Sequence, residues 1–289
     1  MKHTTEQHSN LWQSLITLLG LVFATRCVRS AMLYLCSFAP QGDLSRFFQL
    51  CLVQLVPVAV VLLFVRYGEQ RSMRSMRIVA KGGVKSYLQG AVVALLLITV
   101  ITTLSLWLGE IEYRGLSNTF SIAPFVAALL LSMINIREEV VFRGWFLTTA
   151  YSRGHLVRAI LGGSILFGWM HCWNSHVTML SLVNLVLFSI LLSELFLIGK
   201  SFWLVAAFHS IWNFAQGKVL GLPISGSPSK LSLLNFEARP DSLTAGFGLE
   251  GNWITSVVLC MVIALATRTV VRMYQKEVSN AVVKEQTES

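Results

Sequence analysis

Long apolar runs without a charged residue are the feature that most constrains how this chain can fold. A hydrocarbon core about 30 Å thick needs about 20 helical residues to cross it. Most of the runs approach or exceed that length, and they are separated by short polar or basic segments. The runs cover residues 47–65, 86–109, 115–136, 159–193, 201–217 and 251–267.

The composition agrees with lipid rather than water as the solvent of these helices. Hydrophobic residues make up 54% of the chain and charged residues only 13%, whereas soluble domains carry roughly 25% charged residues. The mean hydropathy of +0.64 requires helices that are apolar on nearly all faces. A soluble globular enzyme is therefore excluded, and we expect an all-α polytopic membrane helix bundle.

The number of spans follows from the runs and their interruptions. The run at 159–193 is too long for one span, and the polar break CWNSH at 172–176 divides it into two. An N-terminal segment between about residues 11 and 38 adds one more. The sequence thus predicts about eight transmembrane helices, with membrane lipid as the surrounding partner.

The positive charges indicate the orientation. Residues 66–85 carry six Arg or Lys against one Glu, and the 150–158 connection, Lys200 and the tail beyond Arg268 are also basic. Cytoplasmic loops are enriched in Lys and Arg, so we expect a multi-pass protein of the cell membrane with both termini in the cytoplasm. The loop at 222–251 is then expected outside. The basic residues form no nucleic-acid-binding motif, and no nucleic acid partner is expected.

Arg26 and Arg29 are unusual because they fall inside the first apolar segment. A charge at the bilayer centre costs a few kcal/mol or more. Their spacing of three residues places them on one helix face. Either they face the bundle interior and pair with an acidic group such as Glu194, or the first helix is shorter and partly interfacial.

Three further segments place ionisable residues within predicted spans, where such groups are functional hypotheses by default. IREEVVFRGWF places Glu138, Glu139 and Arg143 at the end of the fourth span, and the spacing of four residues allows Glu139 and Arg143 to form an ion pair. By themselves these charges could also mark a solvated cytoplasmic helix end.

The other two segments each carry a histidine. LFGWMHCWN places His171 four residues after Phe167, and VAAFHSIWNF places Asn213 four residues after His209. Helical rise predicts that Glu138 and both histidines lie at comparable depth in the cytoplasmic half of the bilayer. Convergence of a carboxylate, two imidazoles and an amide at one depth favours a site over isolated packing residues.

These residue types can hydrolyse a peptide bond without a serine or cysteine nucleophile. A carboxylate can take a proton from water, and an imidazole can share that water or protonate the leaving amine. A second histidine and an amide can stabilise the oxyanion. Glu138, His171 and His209 could instead bind a divalent metal such as zinc. The chain has no HExxH helix, so the role of a metal stays open.

The ordered motifs resemble those of the CAAX-protease and bacteriocin-processing family of intramembrane proteases, also called Abi. This family includes type II CAAX prenyl endopeptidases and lysostaphin-resistance-like proteins. Its pattern of EExxxR, FxxxH and HxxxN or HxxxD is met by Glu138, Glu139 and Arg143, by Phe167 and His171, and by His209 and Asn213.

The resemblance implies an eight-helix bundle with a catalytic cavity that faces the cytoplasm, and a catalytic core at residues 120–217. Residues 1–119 would hold the first three helices, and residues 218–289 an external loop, the last helix and a cytoplasmic tail. By analogy Glu138 is the base and acts with His171 on the water, while His209 and Asn213 form the oxyanion site. Glu139 and Arg143 would maintain the helix geometry. Metal dependence is argued both ways in this family.

The tryptophans near these motifs lead us to expect a cavity with aromatic walls, suited to a lipidated or apolar peptide. Trp169 and Trp173 flank His171, and Trp212 precedes Asn213. Interfacial anchoring explains such tryptophans equally well. The leading hypothesis is an endopeptidase that cleaves a membrane-associated peptide, of prenylated CAAX type or not.

Two alternatives belong to other classes. A non-catalytic membrane scaffold or bacteriocin-immunity protein would keep the helical core and act by binding. A proton-coupled transporter could use Glu138, Glu139 and His171 as a relay, but transporters commonly show internal repeats and the sequence has none.

Overall fold

The computed structural model describes residues 11–40, 42–151, 155–242 and 244–288. Nine labelled helices and two strands follow the chain, with short helical turns between them. They are α1 Leu11–Ser37, α2 Asp43–Leu63, α3 Gly83–Trp107, β1 Ile111–Leu116, α4 Ile122–Ile134, α5 at 137–151, α6 Leu156–Trp169, α7 Met179–Gly199, α8 Phe202–Phe214, β2 Leu234–Ala238 and α9 Trp253–Glu288.

Within the described chain, five helical segments are long and apolar enough to cross a membrane by length and composition. These are Leu11–Ser37, Asp43–Gly68, Gly83–Trp107, Met179–Gly199 and Trp253–Lys276, and the shorter apolar helix Leu156–Trp169 adds to them. The outer faces of the bundle expose large side chains such as Phe23 and Trp107. Such continuous apolar surface is typical of a lipid-facing protein. The expected count of eight spans is not confirmed by these criteria.

The helices pack around one central pair, α3 and α8. The two backbones approach closely at Gly90, where a Cβ would meet the carbonyl oxygen of Leu204 at 2.0 Å. Helix α7 packs against α6 on one side and α9 on the other, and α1 packs against α2. The largest buried side chains include Trp145, Trp212 and Phe208, so α5 and α8 lie deepest in the bundle.

One end of the bundle, the basic end, holds residues 66–85, the end of α5, the start of α6 and Lys200. Arg77, Tyr151, Leu156 and Lys200 line a common hollow there. Arg77 donates from Nη1 to the carbonyl oxygen of Phe196 at 2.8 Å. The main-chain N–H of Phe202 donates to the carbonyl of Arg77 at 3.2 Å, which places the start of α8 at this end.

The opposite end, the cavity end, holds a small antiparallel sheet. Strand β1 pairs with β2 through Ile111 with Ala238 and Tyr113 with Phe236, and a bulge follows before Leu116. The expectation of an all-α fold therefore needs this small correction. The predicted external loop at 222–251 is also more structured than expected, because it contains β2 and the short helices Thr244–Phe247 and Leu249–Gly251.

The segment that carries the paired glutamates differs from its prediction. We expected Glu138 at the end of the fourth span, but α4 ends at Ile134 and a new helix begins at Arg137. Helix α5 consists of Arg137–Glu139, the π-type segment Val140–Leu147 and Thr148–Tyr151. The break at 135–136 thus places Glu138 at the beginning of a helix. π-type turns inside helices are frequent at functional sites.

The two arginines of α1 do not pair with Glu194. Helix α1 is continuous to Ser37, so it is not shortened at these residues. Arg26 donates from Nη2 to the carbonyl oxygen of Met170 at 2.7 Å, while Glu194 accepts from the Thr267 hydroxyl of α9. Arg26 therefore satisfies a carbonyl just past the end of α6, next to His171, which no spacing rule in the sequence indicated.

Candidate active site

A polar cavity of about 150 Å³ lies near the cavity end, between α5, the end of α6 and α8. Four of the predicted site residues line it. Its lining consists of Asn135, Glu138, His171, Asn174, His209, Asn213, Ile224, Ser225 and Ser227. The space is enough for a few water molecules, whose share of liquid volume is about 30 Å³ each.

Glu138 is the carboxylate that faces this cavity. Its Oε1 accepts from Nη2 of Arg137 at 3.0 Å, and its side chain keeps 23% of its surface exposed. Arg26 and the two site histidines lie close enough to interact with its charge. Glu138 therefore sits among cationic and imidazole groups, with its second oxygen available to a water molecule.

Glu139 points into the protein instead. Its Oε1 accepts from Nη1 of Arg143 at 3.0 Å and from Nδ1 of His209 at 2.8 Å. Arg143 also donates from Nη2 to the carbonyl and hydroxyl oxygens of Ser189. The predicted ion pair of Glu139 and Arg143 is present, and both side chains are 1% exposed. The carboxylate links the arginine to the histidine of another helix.

The hydrogen bonds of the two histidines orient their free nitrogens. His171 Nδ1 lies 2.8 Å from the carbonyl oxygen of Phe167, and a carbonyl can only accept. Nδ1 therefore carries the proton, and Nε2 of the neutral ring is an acceptor. In His209 the Glu139 carboxylate fixes the proton on Nδ1 in the same way, which leaves Nε2 for a ligand. Phe167 and Phe188 pack against these rings.

A tight turn at residues 224–227, the roof turn, closes the cavity. Ile224 and Ser227 exchange both main-chain hydrogen bonds at 2.9 Å. Ser225 and Gly226 between them have positive φ angles of 45° and 86°, as a type I′ turn requires. Gly226 cannot be replaced without a shift, because a Cβ there would meet the carbonyl oxygen of Ser175 at 2.0 Å.

Several groups at the cavity have no protein partner within the described part of the chain. These are the Asn213 amide and the hydroxyls of Ser225 and Ser227. Asn174 donates from Nδ2 to the carbonyl oxygen of Ser225 at 2.9 Å and so holds the roof turn in place. The free groups can donate to or accept from a bound peptide.

A second buried carboxylate, Glu250, lies behind α8. Its Oε1 accepts from Nε1 of Trp212 at 2.8 Å and its Oε2 from Nε2 of Gln216 at 2.7 Å. Burial raises the pKa of Glu250 above the usual range of a carboxyl, although these two hydrogen bonds oppose the shift. No sequence pattern indicates a role for Glu250, because a lone acidic residue at the end of a loop carries no motif.

The structure brings the sequence-predicted residues together, but two of the six do not line the cavity, and three features of the cavity were not predicted. Glu138, His171, His209 and Asn213 line one cavity, while Glu139 and Arg143 lie behind it. Sequence reasoning missed Asn135, Asn174 and the roof turn. Asn135 and Asn174 are each three residues from a predicted site residue, which was a usable signal. The roof turn had none, because ISGS reads as an ordinary loop.

The expectation of aromatic cavity walls is wrong. Trp169 and Trp173 are 50% and 68% exposed and pack edge to face against each other at the protein surface. Trp212 is fully buried against Glu250. The lining is mostly polar, with Ile224 as its apolar member. Phenylalanines pack against the histidine rings. The polar lining suits a site that binds backbone amides and water.

The position of the site along the bundle can be given relative to the basic end. Helix α6 begins at the basic end, and His171 follows its 14 residues, which place it about 21 Å away. Glu138 is the second residue of α5, whose last residue, Tyr151, lies at the basic end. The cavity therefore lies in the half of the bundle opposite the basic segments. The three residues do share one depth, as predicted.

The metal alternative finds no support in this arrangement. Within the described residues, no group of three or more His, Cys, Asp or Glu side chains is placed to hold a metal ion. The bonds at Nδ1 of His209 and His171 leave only Nε2 of each ring free. Glu138, His171 and His209 therefore do not form such a group in this structure.

Comparison with known proteins agrees with the motifs. The family model described as "Type II CAAX prenyl endopeptidase Rce1-like" matches residues 118–215. This range contains α4 to α8 and all the predicted site residues. Neither the curated proteins nor the solved structures give a significant match to the chain. Residues 118–215 are therefore similar to the Rce1-like type II CAAX prenyl endopeptidases.

Proposed function

We propose that this protein is an intramembrane endopeptidase that hydrolyses a peptide bond of a membrane-associated substrate. The observation that carries the proposal is the cavity in which Glu138 and Nε2 of His171 face the same space as His209 and Asn213. The protease family of residues 118–215 supports the same reaction class.

In the proposed mechanism, a water molecule is held between Glu138 and Nε2 of His171. Glu138 takes a proton from the water as its oxygen attacks the carbonyl carbon of the scissile bond. The oxyanion that forms accepts hydrogen bonds from the Asn213 amide and from Nε2–H of the cationic form of His209. The proton held by Glu138 then passes to the leaving amine, so that the C–N bond breaks and the carboxylate is restored.

Glu139 and Arg143 act through His209 in this proposal. The Glu139 carboxylate bonds Nδ1 of His209 and thereby aims Nε2 at the cavity. Arg143 in turn fixes the carboxylate and connects α5 to Ser189 of α7. Carboxylate and histidine pairs of this kind set both the tautomer and the orientation of a catalytic imidazole.

We also propose how the bundle sits in the membrane. Eight crossings result if the broken pair of α4 and α5 counts as one and α6 and α8 as one each. With the basic end in the cytoplasm, the roof turn would face the other side. A membrane-impermeant thiol reagent tests this on Lys81→Cys and Lys230→Cys, each placed in a background without the native cysteines.

In intact cells we expect labelling of the Lys230→Cys variant alone, and labelling of Lys81→Cys only after permeabilisation. The reverse pattern would show that the cavity end faces the cytoplasm, as the family resemblance implies. Both positions are exposed lysines, so the two variants are matched in chemistry.

Cleavage of a peptide panel tests the proposed activity. The detergent-purified protein is incubated with membrane-anchored peptides, prenylated and not, beside Glu138→Ala as the paired control. We expect cleavage by the wild type that is lost in the variant, and addition of a chelator decides the role of a metal. Prenylated CAAX-type peptides are the substrate class that the family name supports. A folded wild type that cleaves nothing would favour the scaffold hypothesis.

A further inference from the structure

Glu250 is a buried carboxylate near the site that the proposed mechanism does not use. It is 3% exposed and lies just before α9. Both of its oxygens accept hydrogen bonds from side chains of one neighbouring stretch, Trp212 in α8 and Gln216 just beyond it. A desolvated charge is costly unless it is hydrogen-bonded, so the position of these two donors is tied to that of the carboxylate.

The two donors flank the oxyanion side of the cavity. Trp212 directly precedes Asn213, and Gln216 follows it by less than one turn. Trp212 also packs against Phe188, which in turn packs against the ring of His209. The rotation of α8 that aims His209 and Asn213 into the cavity is therefore fixed from behind by Glu250.

Glu250 is also connected to the roof turn, through the side chain of Gln216. Nε2 of Gln216 donates both to Glu250 and to the carbonyl oxygen of Pro223 at 2.7 Å, one residue before the turn begins. The main-chain N–H of Leu222 donates to the carbonyl of Gln216 at 3.0 Å. The two sides of the cavity, α8 and the roof turn, are thus connected through Gln216.

Glu250 is itself held firmly. Its main-chain carbonyl accepts from Nδ2 of Asn184 at 2.8 Å, and the same nitrogen donates to the carbonyl of Asn252. Ser256 of α9 donates its hydroxyl to Oδ1 of Asn184. Helices α7 and α9 therefore supply the fixed frame from which the carboxylate reaches α8.

We propose that Glu250 is a positioning residue for the oxyanion side of the site, fixing α8 through Trp212 and the roof turn through Gln216. The proposal rests on the proposed endopeptidase function. Only a group with two acceptor atoms satisfies both donors. A glutamine at this position would turn an NH₂ toward one of them and lose that bond.

The experiment compares Glu250→Gln with Glu194→Gln. Glu194 is also a buried carboxylate, 4% exposed, and it accepts from Thr267 far from the cavity. Trp212→Phe and the double variant with Glu250→Gln complete a cycle. We measure kcat and KM for peptide cleavage, and hydrogen exchange of the main-chain amides at 220–228 in detergent.

Glu250→Gln should lower kcat about 10- to 100-fold, because small misplacements of catalytic groups have effects of this size. Its KM should stay within a few-fold, and exchange at the roof turn should become faster. Trp212→Phe should lower kcat as well, and the double variant should be no worse than the poorer single one. Glu194→Gln should change neither kcat nor exchange at 220–228.

Equal kcat and equal exchange in the two glutamine variants would overturn the proposal while the endopeptidase function stands. If the wild type cleaves no peptide, the proposed function fails and hydrogen exchange decides alone. Faster exchange at 220–228 confined to Glu250→Gln would then support the positioning of the roof turn. Unchanged exchange would contradict it.

Discussion

The two ends of the helix bundle both hold buried or half-buried polar groups but use them differently. At the basic end, Arg71 donates to the hydroxyls of Thr148 and Thr149 and pairs with Glu69, which also accepts from Trp145. At the cavity end, Glu138, His171, His209 and Asn213 line open space. Polar groups thus bind segments together at the basic end, whereas at the cavity end the groups that line the cavity remain available and those behind it, such as Glu139 and Arg143, bind segments together.

This difference separates structural from functional charges better than residue type does. Glu69 and Glu138 are both partly exposed glutamates beside an arginine, with 23% of each side chain accessible. Glu69 uses both oxygens to join residue 71 to Trp145. Glu138 uses one oxygen and presents the other to the cavity. The predictions below test this distinction.

The largest effect is expected from Glu139→Ala, which breaks the hydrogen-bonded network behind the cavity. Arg143 would keep its buried charge without its carboxylate, and breaking a buried pair in this way costs about 3–5 kcal/mol. Thermal unfolding in detergent measures the loss. The double variant Glu139→Leu with Arg143→Leu should recover much of the stability and remain inactive. A Tm of Glu139→Ala equal to the wild-type value would contradict this reading.

Asn213→Ala should have the opposite profile. Its amide has no protein partner within the described chain, so the Tm should be nearly unchanged. Loss of one oxyanion donor lowers kcat about 100- to 1000-fold, with little effect on KM. Steady-state cleavage kinetics measure this change. If kcat stays at the wild-type value, Asn213 is not an oxyanion donor.

Arg71→Ala should reduce stability and spare the chemistry. It removes the hydrogen bonds of Arg71 to two hydroxyls and the ion pair with Glu69. Charged hydrogen bonds of this kind contribute about 1.5–3 kcal/mol each, and less where water reaches them. Thermal unfolding is the measurement, with the exposed Arg74→Ala as control, for which we expect a change within about 0.5 kcal/mol. A fall in kcat of the folded Arg71→Ala protein would break the distinction between the two ends.

The smallest effect concerns pH. Burial raises the pKa of Glu250, so the folded protein binds a proton there more tightly than the unfolded chain does. The stabilisation of the folded protein by this bound proton is therefore present at low pH. It is lost as pH rises from about 4.3, the pKa of a glutamate in an unfolded chain, through the raised pKa of Glu250. The Tm of the wild type should fall more steeply over this range than that of Glu250→Gln. Identical slopes would show that the pKa of Glu250 is not raised.

Much of the site was predictable because its motifs are local. The spacing of four residues joins Glu139 to Arg143, and the same spacing places His209 and Asn213 on one side of α8. Apolar run lengths predicted most of the helices, including the break at 172–176 between α6 and α7. These features depend on helical geometry alone, which a sequence encodes directly.

The remaining features depend on contacts between distant residues. The roof turn reaches Asn174 across 51 positions and Glu250 reaches Trp212 across 38. A periodic pattern in the sequence does not indicate contacts between residues so far apart. Glu138 was assigned to the end of a span because the break at 135–136 was not recognised. For Arg26 the sequence offered a carboxylate partner or a shortened helix, whereas its partner is a main-chain carbonyl.

The most direct test of the central claim is single-turnover cleavage by Glu138→Gln beside the wild type, with peptide binding measured in parallel. Glutamine keeps the size of the side chain and removes the base. We expect unchanged peptide binding and a loss of cleavage rate of about 100-fold to 10,000-fold, the usual contribution of a general base. Cleavage by Glu138→Gln at the wild-type rate would contradict the assignment of Glu138 as the group that activates water.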